Sequence, residues 1–263
     1  MTKKETEILL PEDRLWGPKS IQSLVFQQQR IGPLTLVFKR TSNELWIASD
    51  RSQKGVIDFE ELDWSRWALK KEDTPIELFP LMPDLQVIVR PENTFMLSPG
   101  AQVRIFTRIP VWVGIYSNDG KKNKLAEIPT MILSKTWFGD FEDGVLSYWV
   151  STTARREVNK DVYQPHVAIS TLNIKNESET DLKIEKLSIR VDKLSLLEKD
   201  GQLWTDEMDI RYKGEEQHSE ISIKGKLPVE LKDAKLISQP RDPIKKSFVE
   251  RTFRILKEIP GFS

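Results

Sequence analysis

Hydrophobic and polar residues alternate with a period of two along most of the chain, and turn residues interrupt this pattern at short intervals. The clearest example is the segment 103–116, in which valine and isoleucine occupy nearly every second position. Alternate side chains of a strand lie on the same face, so this spacing predicts a strand with one apolar face. Such strands recur at intervals of roughly 8–12 residues, which predicts a mainly β fold of the antiparallel β-sandwich type.

The first strong hairpin pattern spans residues 24–40, with a turn around Gly32. Leu34, Leu36 and Phe38 share one face of its second strand and are expected to be buried together. A second hairpin signal is the pair Asp200-Gly201, because both residue types accept the positive φ angles of tight hairpin turns. Asn176-Glu177-Ser178 fits a glycosylation acceptor, but we interpret it as a turn.

Two segments depart from the alternation. Residues 58–72 are a candidate helix, although their apolar positions form no clean stripe. Residues 243–259 have apolar residues four or seven apart, after Asp242 as a helix cap and Pro243 as the first helical residue. This pattern predicts an amphipathic C-terminal α-helix, which either packs on its own sheet or docks on a partner.

These elements predict two packed β units followed by the helix. The first is residues 1–160 and contains a hairpin at Trp137-Phe138-Gly139, the second is residues 161–240, and the helix occupies residues 241–263. Whether the two β units are separate domains or one continuous sandwich is left open by the pattern.

Within the first unit, strands at 103–116, 127–138 and 145–153 are expected to form a three-stranded meander, joined by loops at 118–124 and 139–144. The first of these strands has a second face that is rich in arginine and aromatic residues. This face is either covered by another element or is a stacking platform. Its members are Arg104, Phe106, Arg108, Trp112 and Tyr116.

Composition excludes several classes of protein. Among 263 residues there are 40 Lys+Arg and 40 Asp+Glu, so the formal net charge is zero and nucleic-acid binding is not expected. The absence of cysteine excludes disulfides and thiolate chemistry and fits a reducing compartment. No apolar stretch has the length of a membrane span, and the first residues do not form a signal peptide. We therefore expect a cytoplasmic protein.

The sequence offers little recognisable catalytic chemistry. There are two histidines, His166 and His218, and no metal-ligand spacing, phosphate-binding glycine loop or nucleophile elbow. No metal and no cofactor are expected. Whether the protein is an enzyme is left open, and the pattern favours a protein without catalytic activity.

One segment combines aromatic residues with a dense set of carboxylates. Pairs of carboxylates on a β scaffold are typical of glycosidases, and exposed tryptophans can stack on sugar rings. The alternative is an exposed acidic turn, which Gly144 favours because glycine accepts positive φ. The candidate binding residues are Trp137, Asp140, Glu142 and Asp143, with Trp112 or Trp149 for stacking.

The predicted meander also brings basic residues to one end. If it forms, the loop after the first strand and the end of the third strand lie together and make a basic rim. This rim is a candidate site for an anion or a nucleotide, and its alternative is a solvated charged edge. Its members are Lys121, Lys122, Lys124, Arg155 and Arg156.

Several of these segments together resemble a known family. The stretches "RIPVWVGIY", "LSKTWFGDFEDGVLSYWVSTTAR" and "NIKNESETDLKIEKLSIRV", followed by "LW", are similar to the prokaryotic family called domain of unknown function 432. The resemblance covers about Pro91 to Pro228. Its most specific part is Thr136-Trp137-Phe138-Gly139, followed by Gly144 and Tyr148. The resemblance implies a prokaryotic protein, and it implies no activity, cofactor or catalytic residue.

The functional prediction is a non-enzymatic binding or protein-interaction module, because β-sandwiches commonly serve as recognition scaffolds. A protein partner or a homo-oligomer is expected, and no small-molecule ligand can be specified. The alternative is a carbohydrate-binding or glycoside-active protein that uses the aromatic and acidic hairpin. A weaker alternative is anion or nucleotide binding at the basic rim.

Overall fold

The computed structural model describes residues 7–10, 15–52, 57–139, 142, 144–158, 164–214, 219–223, 231–243 and 248–250. These residues form 23 strands and a short 3-10 helix at Val191–Lys193, and they contain no α-helix. The strands are β1 (Glu7–Leu9), β2 (Gly17–Lys19), β3 (Phe26–Ile31), β4 (Leu34–Arg40), β5 (Glu44–Asp50), β6 (Ser65–Ala68), β7 (Ile76–Leu81), β8 (Val87–Pro91), β9 (Phe95–Leu97), β10 (Gln102–Pro110), β11 (Trp112–Asn118), β12 (Lys122–Pro129), β13 (Ser134–Phe138), β14 (Val145–Ala154), β15 (Val167–Asn176), β16 (Leu182–Ile184), β17 (Leu187–Ile189), β18 (Leu196–Lys199), β19 (Gln202–Thr205), β20 (Met208–Tyr212), β21 (Ser219–Ile223), β22 (Lys235–Ser238) and β23 (Phe248–Glu250).

The strands form several sheets with mostly antiparallel pairing, so the prediction of a mainly β fold is confirmed. Contacts divide the chain into two compact units, each built from separate stretches. Unit 1 contains Met1–Leu81, Pro110–Ile132 and Gln164–His166, and unit 2 contains Met82–Ile109, Leu133–Tyr163 and Val167–Ser263. Neither unit coincides with the predicted consecutive ranges 1–160 and 161–240. The division of the chain into those two domains stays a prediction.

Unit 1 contains two sheets that share one core. Of the described strands, β1-β3-β4-β5-β6 form one sheet and β12-β11-β7-β2 form the other. The predicted apolar face of Leu34, Leu36 and Phe38 is fully buried, which confirms the strand pattern. These side chains share a core with Leu78 and Ile115 of the second sheet, an arrangement typical of a β-sandwich.

The prediction of a helix at 58–72 is wrong. This segment contains β6 and a preceding irregular stretch that lies on the second face of the first sheet. There the ring of Phe59 stacks on Phe26 with centroids 4.2 Å apart, and Trp64 lies 5.7 Å from Phe26. The apolar residues form no helical stripe because they pack one by one onto a sheet.

His166 belongs to unit 1 and contacts Val111 and Gly32, although it is distant from both in the sequence. Its carbonyl accepts a hydrogen bond of 2.9 Å from the Val111 backbone N–H, and its ring lies directly over Gly32 in the β3–β4 turn. Gly32 has a φ of +61°, a conformation that favours glycine. The buried Nδ1 of His166 has no hydrogen-bond partner among the described residues. The imidazole is therefore held in a site suited to its neutral form.

Burial lowers the pKa of His166, which predicts a pH-dependent stability. Between the lowered pKa and the unfolded value of about 6.5, the unfolded chain binds more protons than the folded chain. The stabilisation of the folded state by neutral His166 is therefore complete above about pH 6.5. It is lost as the pH falls through the pKa that His166 has in the folded chain. As the pH falls through this window, we expect the wild-type protein to lose stability relative to the His166→Gln variant. Urea unfolding of both proteins at several pH values measures the difference. A stability difference that does not change with pH would contradict this.

Unit 2 contains a large mixed sheet and two smaller sheets. Of its described strands, β22-β18-β19-β15-β20-β21-β23 form the large sheet, with β10 also paired to β15. The strands β13-β14-β8-β17 form a second sheet, and β16 pairs with β9. The predicted turn at Asp200-Gly201 is confirmed, because β18 and β19 form a hairpin there with φ angles of +51° and +77°.

The C-terminal helix is not supported by the structure. Phe248–Glu250 is a strand that pairs antiparallel with β21, with Val249 opposite Glu220. Phenylalanine and valine favour strands, and the pairing extends the large sheet by one strand. The rest of the predicted helix, residues 244–247 and 251–259, lies outside the described residues.

The predicted meander is also wrong in its first two strands. The strand 103–116 is broken after Pro110, and β10 and β11 belong to different sheets. The strand 127–138 is likewise two strands, β12 and β13, in different sheets. Proline cannot donate a ladder hydrogen bond, so Pro110 marks the place where the chain leaves one sheet for another.

The buried side chain of Asn176, at the end of β15, organises the exposed turn that follows it. Its Nδ2 donates to the carbonyls of Leu97 and Thr180, each at 2.7 Å, and its Oδ1 accepts from the backbone N–H and the hydroxyl of Ser178 at 3.0 and 2.7 Å. The side chain is fully buried. The interpretation of Asn176-Glu177-Ser178 as a turn is therefore confirmed.

Candidate functional site

The hairpin formed by β13 and β14 carries the central residues of the predicted site. The two strands pair antiparallel without a shift, from Ser134 opposite Trp149 to Phe138 opposite Val145. Gly139, with a φ of +110°, starts the connection directly after β13. A hairpin at this position confirms the sequence prediction.

Three large apolar side chains are exposed at the end of this hairpin. Trp137 is 52% exposed, Val145 49% and Leu146 41%. Trp137 lies directly opposite Leu146 on one face of the hairpin, and Val145 lies on the other face. We call the two neighbours on one face, Trp137 and Leu146, the tip patch. Isolated exposed apolar residues are common, but a contiguous group of them is typical of a recognition surface.

The base of the tip patch is held by a network of hydrogen bonds. The Tyr148 hydroxyl lies 3.0 Å from Asp84 Oδ1, and the Tyr148 backbone N–H donates to the Gln86 carbonyl at 2.9 Å. The Gln86 amide donates to the buried hydroxyl of Ser147 at 2.8 Å. These bonds fix β14 on the neighbouring chain segment, so the exposed residues project from a supported strand.

The acidic part of the predicted site is described only in part. Glu142 is exposed, whereas Asp140 and Asp143 lie outside the described residues. The separation of the carboxylates is therefore not defined, and the carbohydrate alternative stays a prediction.

The tryptophans of the predicted site do not form one platform on the hairpin. Trp149 lies on the face opposite to Trp137, because its register partner Ser134 is an odd number of residues from Trp137. The ring of Trp149 is covered by Arg90, whose guanidinium lies 4.7 Å from its centroid. Trp112 is half-buried in β11 and belongs to unit 1, whereas the hairpin belongs to unit 2.

The arginine and aromatic face of 103–116 is divided at the break after Pro110. In unit 2, Phe106 packs against a core cluster that includes Ile169 and Trp204, which favours the covered alternative for this residue. The Arg104 guanidinium lies 5.1 Å from the Phe106 ring centroid and 3.4 Å from a carboxylate oxygen of Glu207. A continuous stacking platform along 103–116 is thus excluded by the change of sheet.

The lysines of the predicted rim lie in unit 1, and two of them have local partners. Lys122 Nζ lies 2.8 Å from a Glu77 carboxylate oxygen and 3.7 Å from the centroid of the Phe79 ring. The hydrogen bond from Lys122 is the largest of the effects that lower the pKa of Glu77. Lys124 lies 2.8 Å from Glu127, and Lys121 is exposed.

The arginines of the predicted rim lie in unit 2. Arg155 and Phe106 exchange two backbone hydrogen bonds of 2.7 and 2.8 Å, and the Arg155 guanidinium lies 3.3 Å from Glu92. Burial, and then the charge of Arg155, lowers the pKa of Arg108. The Arg156 guanidinium lies 5.4 Å from the Phe95 ring centroid. Because the lysines and arginines belong to different units, their joint rim stays a prediction.

Two further kinds of functional element, a metal site and a membrane-spanning helix, are absent from the residues that the structure describes. Among them, no group of three or more histidine, aspartate or glutamate side chains is close enough to hold a metal ion. Nor does this part of the chain contain a helix of the length and apolar character needed to cross a membrane.

Sequence reasoning identified Trp137 but identified neither Leu146 as part of the same surface nor the exposure of Val145 on the other face. The alternation in β14 places Val145 and Leu146 on opposite faces, as the structure also does. The pattern does not reveal how far each face is covered near the end of a hairpin. The useful signal would have been the position of both residues directly after the loop, where neighbouring strands end.

The fold and the hairpin define a mainly β protein with several sheets and an exposed aromatic hairpin end. The family described as proteins of unknown function, DUF432, has a model that matches residues 15–257 of the 263-residue chain. The chain belongs to this family, which confirms the resemblance and extends it beyond residues 91–228. No curated protein and no solved structure matches the chain.

Proposed function

We propose that this chain is a non-enzymatic protein-interaction module and that the tip patch is its contact surface. The observation that carries this proposal is the exposure of Trp137 and Leu146, which lie opposite each other on one face at the end of a supported hairpin. Burying these side chains against a partner removes apolar surface from water, which is the main favourable term in protein association. Tryptophan is also among the residues that dominate binding energy when they fill a pocket.

The geometry of the hairpin supports an anchor at the centre of a larger interface. A stable interface buries about 800 Å² on each partner, more than the two side chains of the tip patch supply. The exposed residues of β13, Ser134 and Lys135, continue from Trp137 along the same strand and are suited to form a polar rim. A partner with an apolar pocket surrounded by polar groups fits this arrangement.

Replacing Trp137 by alanine tests the proposal. A partner isolated with the full chain from its native host is purified, and its affinity for each variant is measured by titration calorimetry. We expect Trp137→Ala to weaken binding by about 2 kcal/mol, or roughly 30-fold, because the anchor no longer fills its pocket. The folded state should persist, because Trp137 is an exposed residue of its strand.

The matched control is Leu236→Ala. Leu236 is 46% exposed in β22 of the same unit, but it belongs to a different sheet. Its replacement should leave the affinity unchanged. Equal affinities of wild type and Trp137→Ala for every purified partner would refute the tip patch as the contact surface.

A further inference from the structure

Residues 57–64 form a strap that covers the second face of the first sheet of unit 1. The half-buried apolar side chains of this strap pack on three buried residues of the sheet, Phe26, Val37 and Ala48. We call these three residues the strap groove. The Phe59 ring is stacked on Phe26 with an angle of 4° between the ring planes. The apolar residues of the strap are Ile57, Phe59, Leu62 and Trp64.

The strap is held on the sheet by the packing of its side chains. Within the described part of the chain, its residues form hydrogen bonds only with one another. The Trp64 Nε1–H donates to the Phe59 carbonyl at 3.0 Å, and the Glu60 backbone N–H donates to Asp58 Oδ1 at 3.0 Å. The strap can therefore leave the sheet without breaking a hydrogen bond to any described residue of it. Segments with few such bonds open at a low free-energy cost.

The solvent side of the strap is acidic, and cationic groups border the strap groove. Lys39 Nζ lies 4.5 Å from the Phe26 ring centroid, and Lys39 is the register partner of Phe26 in the sheet. The Arg66 guanidinium lies 3.8 Å from the ring centroid of Trp46, whose ring in turn contacts Trp64 of the strap. A segment that combines apolar side chains with carboxylates therefore suits the groove and its border. The exposed carboxylates of the strap are Asp58, Glu60, Glu61 and Asp63.

We propose that the strap groove is a binding site for a segment of a partner protein and that the strap is its internal occupant. The partner segment has the chemistry of the strap, with apolar residues at its first, third, sixth and eighth positions and carboxylates between them. When this segment binds, it displaces the strap, so the strap competes with the partner and limits access to the groove. The groove belongs to unit 1 and the tip patch to unit 2, so this inference goes beyond the proposed function.

The strap itself supplies the probe for a test. A fluorescently labelled peptide with the sequence of residues 57–64, IDFEELDW, is titrated with the full chain, and its anisotropy is measured. A segment tethered by a short linker has an effective concentration of about 1 mM, so the strap fills the groove only if its dissociation constant lies below about 1 mM. Phe59→Ala removes the stacked ring and weakens the strap. This variant should therefore bind the peptide at least about tenfold more tightly than wild type does.

The matched control is Phe79→Ala. Phe79 is also half-buried in unit 1, but it lies in β7 of the other sheet, where its ring centroid is 5.8 Å from that of Tyr116. This variant loses the same ring and keeps the strap, so its affinity for the peptide should equal that of wild type. A peptide of equal charge with alanine in place of Phe59 and Leu62 should bind Phe59→Ala at least about tenfold more weakly. Equal binding of both peptides, or no peptide binding to Phe59→Ala at about 1 mM, overturns the proposal.

A second measurement keeps every apolar contact of the strap. Glu61 is exposed and the natural chain contains no cysteine, so Glu61→Cys accepts a single spin label on the strap. Adding the peptide to about 5 mM should increase the mobile fraction of the label, because the peptide then exceeds the effective concentration of the strap. The alanine-containing peptide should leave the label unchanged. A label whose mobility does not respond to the peptide overturns displacement of the strap.

Sedimentation equilibrium identifies a different occupant, the strap of a second copy of this chain. Exchange of straps between two copies would give a dimer of twice the monomer mass of 30.5 kDa, and the peptide would dissociate it. Such a dimer overturns a separate partner, whereas a monomer that binds the peptide supports it. These experiments leave Trp137 unchanged, so a failure of this inference is distinguishable from a failure of the proposed function.

Discussion

Replacing Gly32 by alanine should lower the free energy of unfolding by about 2–5 kcal/mol. A left-handed backbone costs a residue with a Cβ about 1–2 kcal/mol, and overfilling a packed site costs about 1–3 kcal/mol more. The added Cβ would lie 2.7 Å from Cε1 of His166 and still closer to Nδ1 and Cγ of the same ring. Urea or thermal unfolding of the purified variant measures the loss.

Two further variants separate the backbone from the steric cause. Gly100 also has a positive φ, of +76°, but its added Cβ would meet no atom within 4 Å. Gly100→Ala should therefore cost only about 1 kcal/mol, the backbone part. Adding His166→Ala to Gly32→Ala should recover about 1–3 kcal/mol by removing the overlap. Additive effects of the two substitutions would show that His166 does not determine the cost.

Replacing Asn176 by aspartate should destabilise the protein by about 3 kcal/mol or more at neutral pH. The carbonyls of Leu97 and Thr180 lose their donor, and a carboxylate oxygen is placed against them in a fully buried site. Equilibrium unfolding in urea measures the effect. Because this turn joins the end of β15 to Leu97 of β9, amide exchange of the 97–101 segment should also become faster.

The control is the same substitution at an exposed site of the same unit. Asn93 lies in an exposed loop, where Asn→Asp is expected to change stability by less than about 0.5 kcal/mol. A comparable loss at Asn93 and Asn176 would mean that added charge, rather than the buried hydrogen bonds, determines the effect.

Local patterns in the sequence predicted the hairpins of this fold well. Gly32 and Asp200-Gly201 mark turns between strands that pair directly, and the face of Leu34, Leu36 and Phe38 is buried as predicted. These features depend on residues close together in sequence, where turn chemistry and alternation act directly. The membership of strands in sheets depends on distant residues, and alternation alone does not define it.

The incorrect predictions have the same physical origin. Apolar residues at 58–64 and at 248–250 have spacings compatible with a weak helical pattern, but in both places the chain lies against or joins a sheet. In such short segments, tertiary packing overrides local propensity and determines the secondary structure. Pro110 indicated an irregularity in its strand, yet nothing local specifies that the next residues join another sheet.

The candidate site was predictable in its position but not in its accessible surface. Trp137 and the hairpin follow from alternation and the glycines around the loop. The exposure of Trp137, in contrast to the burial of Phe138 next to it, depends on what covers each face of the sheet.

The way in which the chain alternates between the two units has a consequence for its synthesis. Unit 1 receives its last segment, Gln164–His166, only after residues 82–109 and 133–163 of unit 2 have been made. Until His166 leaves the ribosome, the backbone N–H of Val111 lacks its acceptor and the ring that lies over Gly32 is missing. The N-terminal unit therefore cannot finish folding first, although domains made first usually do. Nascent chains that end before residue 164 should be the ones that depend most on protection from aggregation.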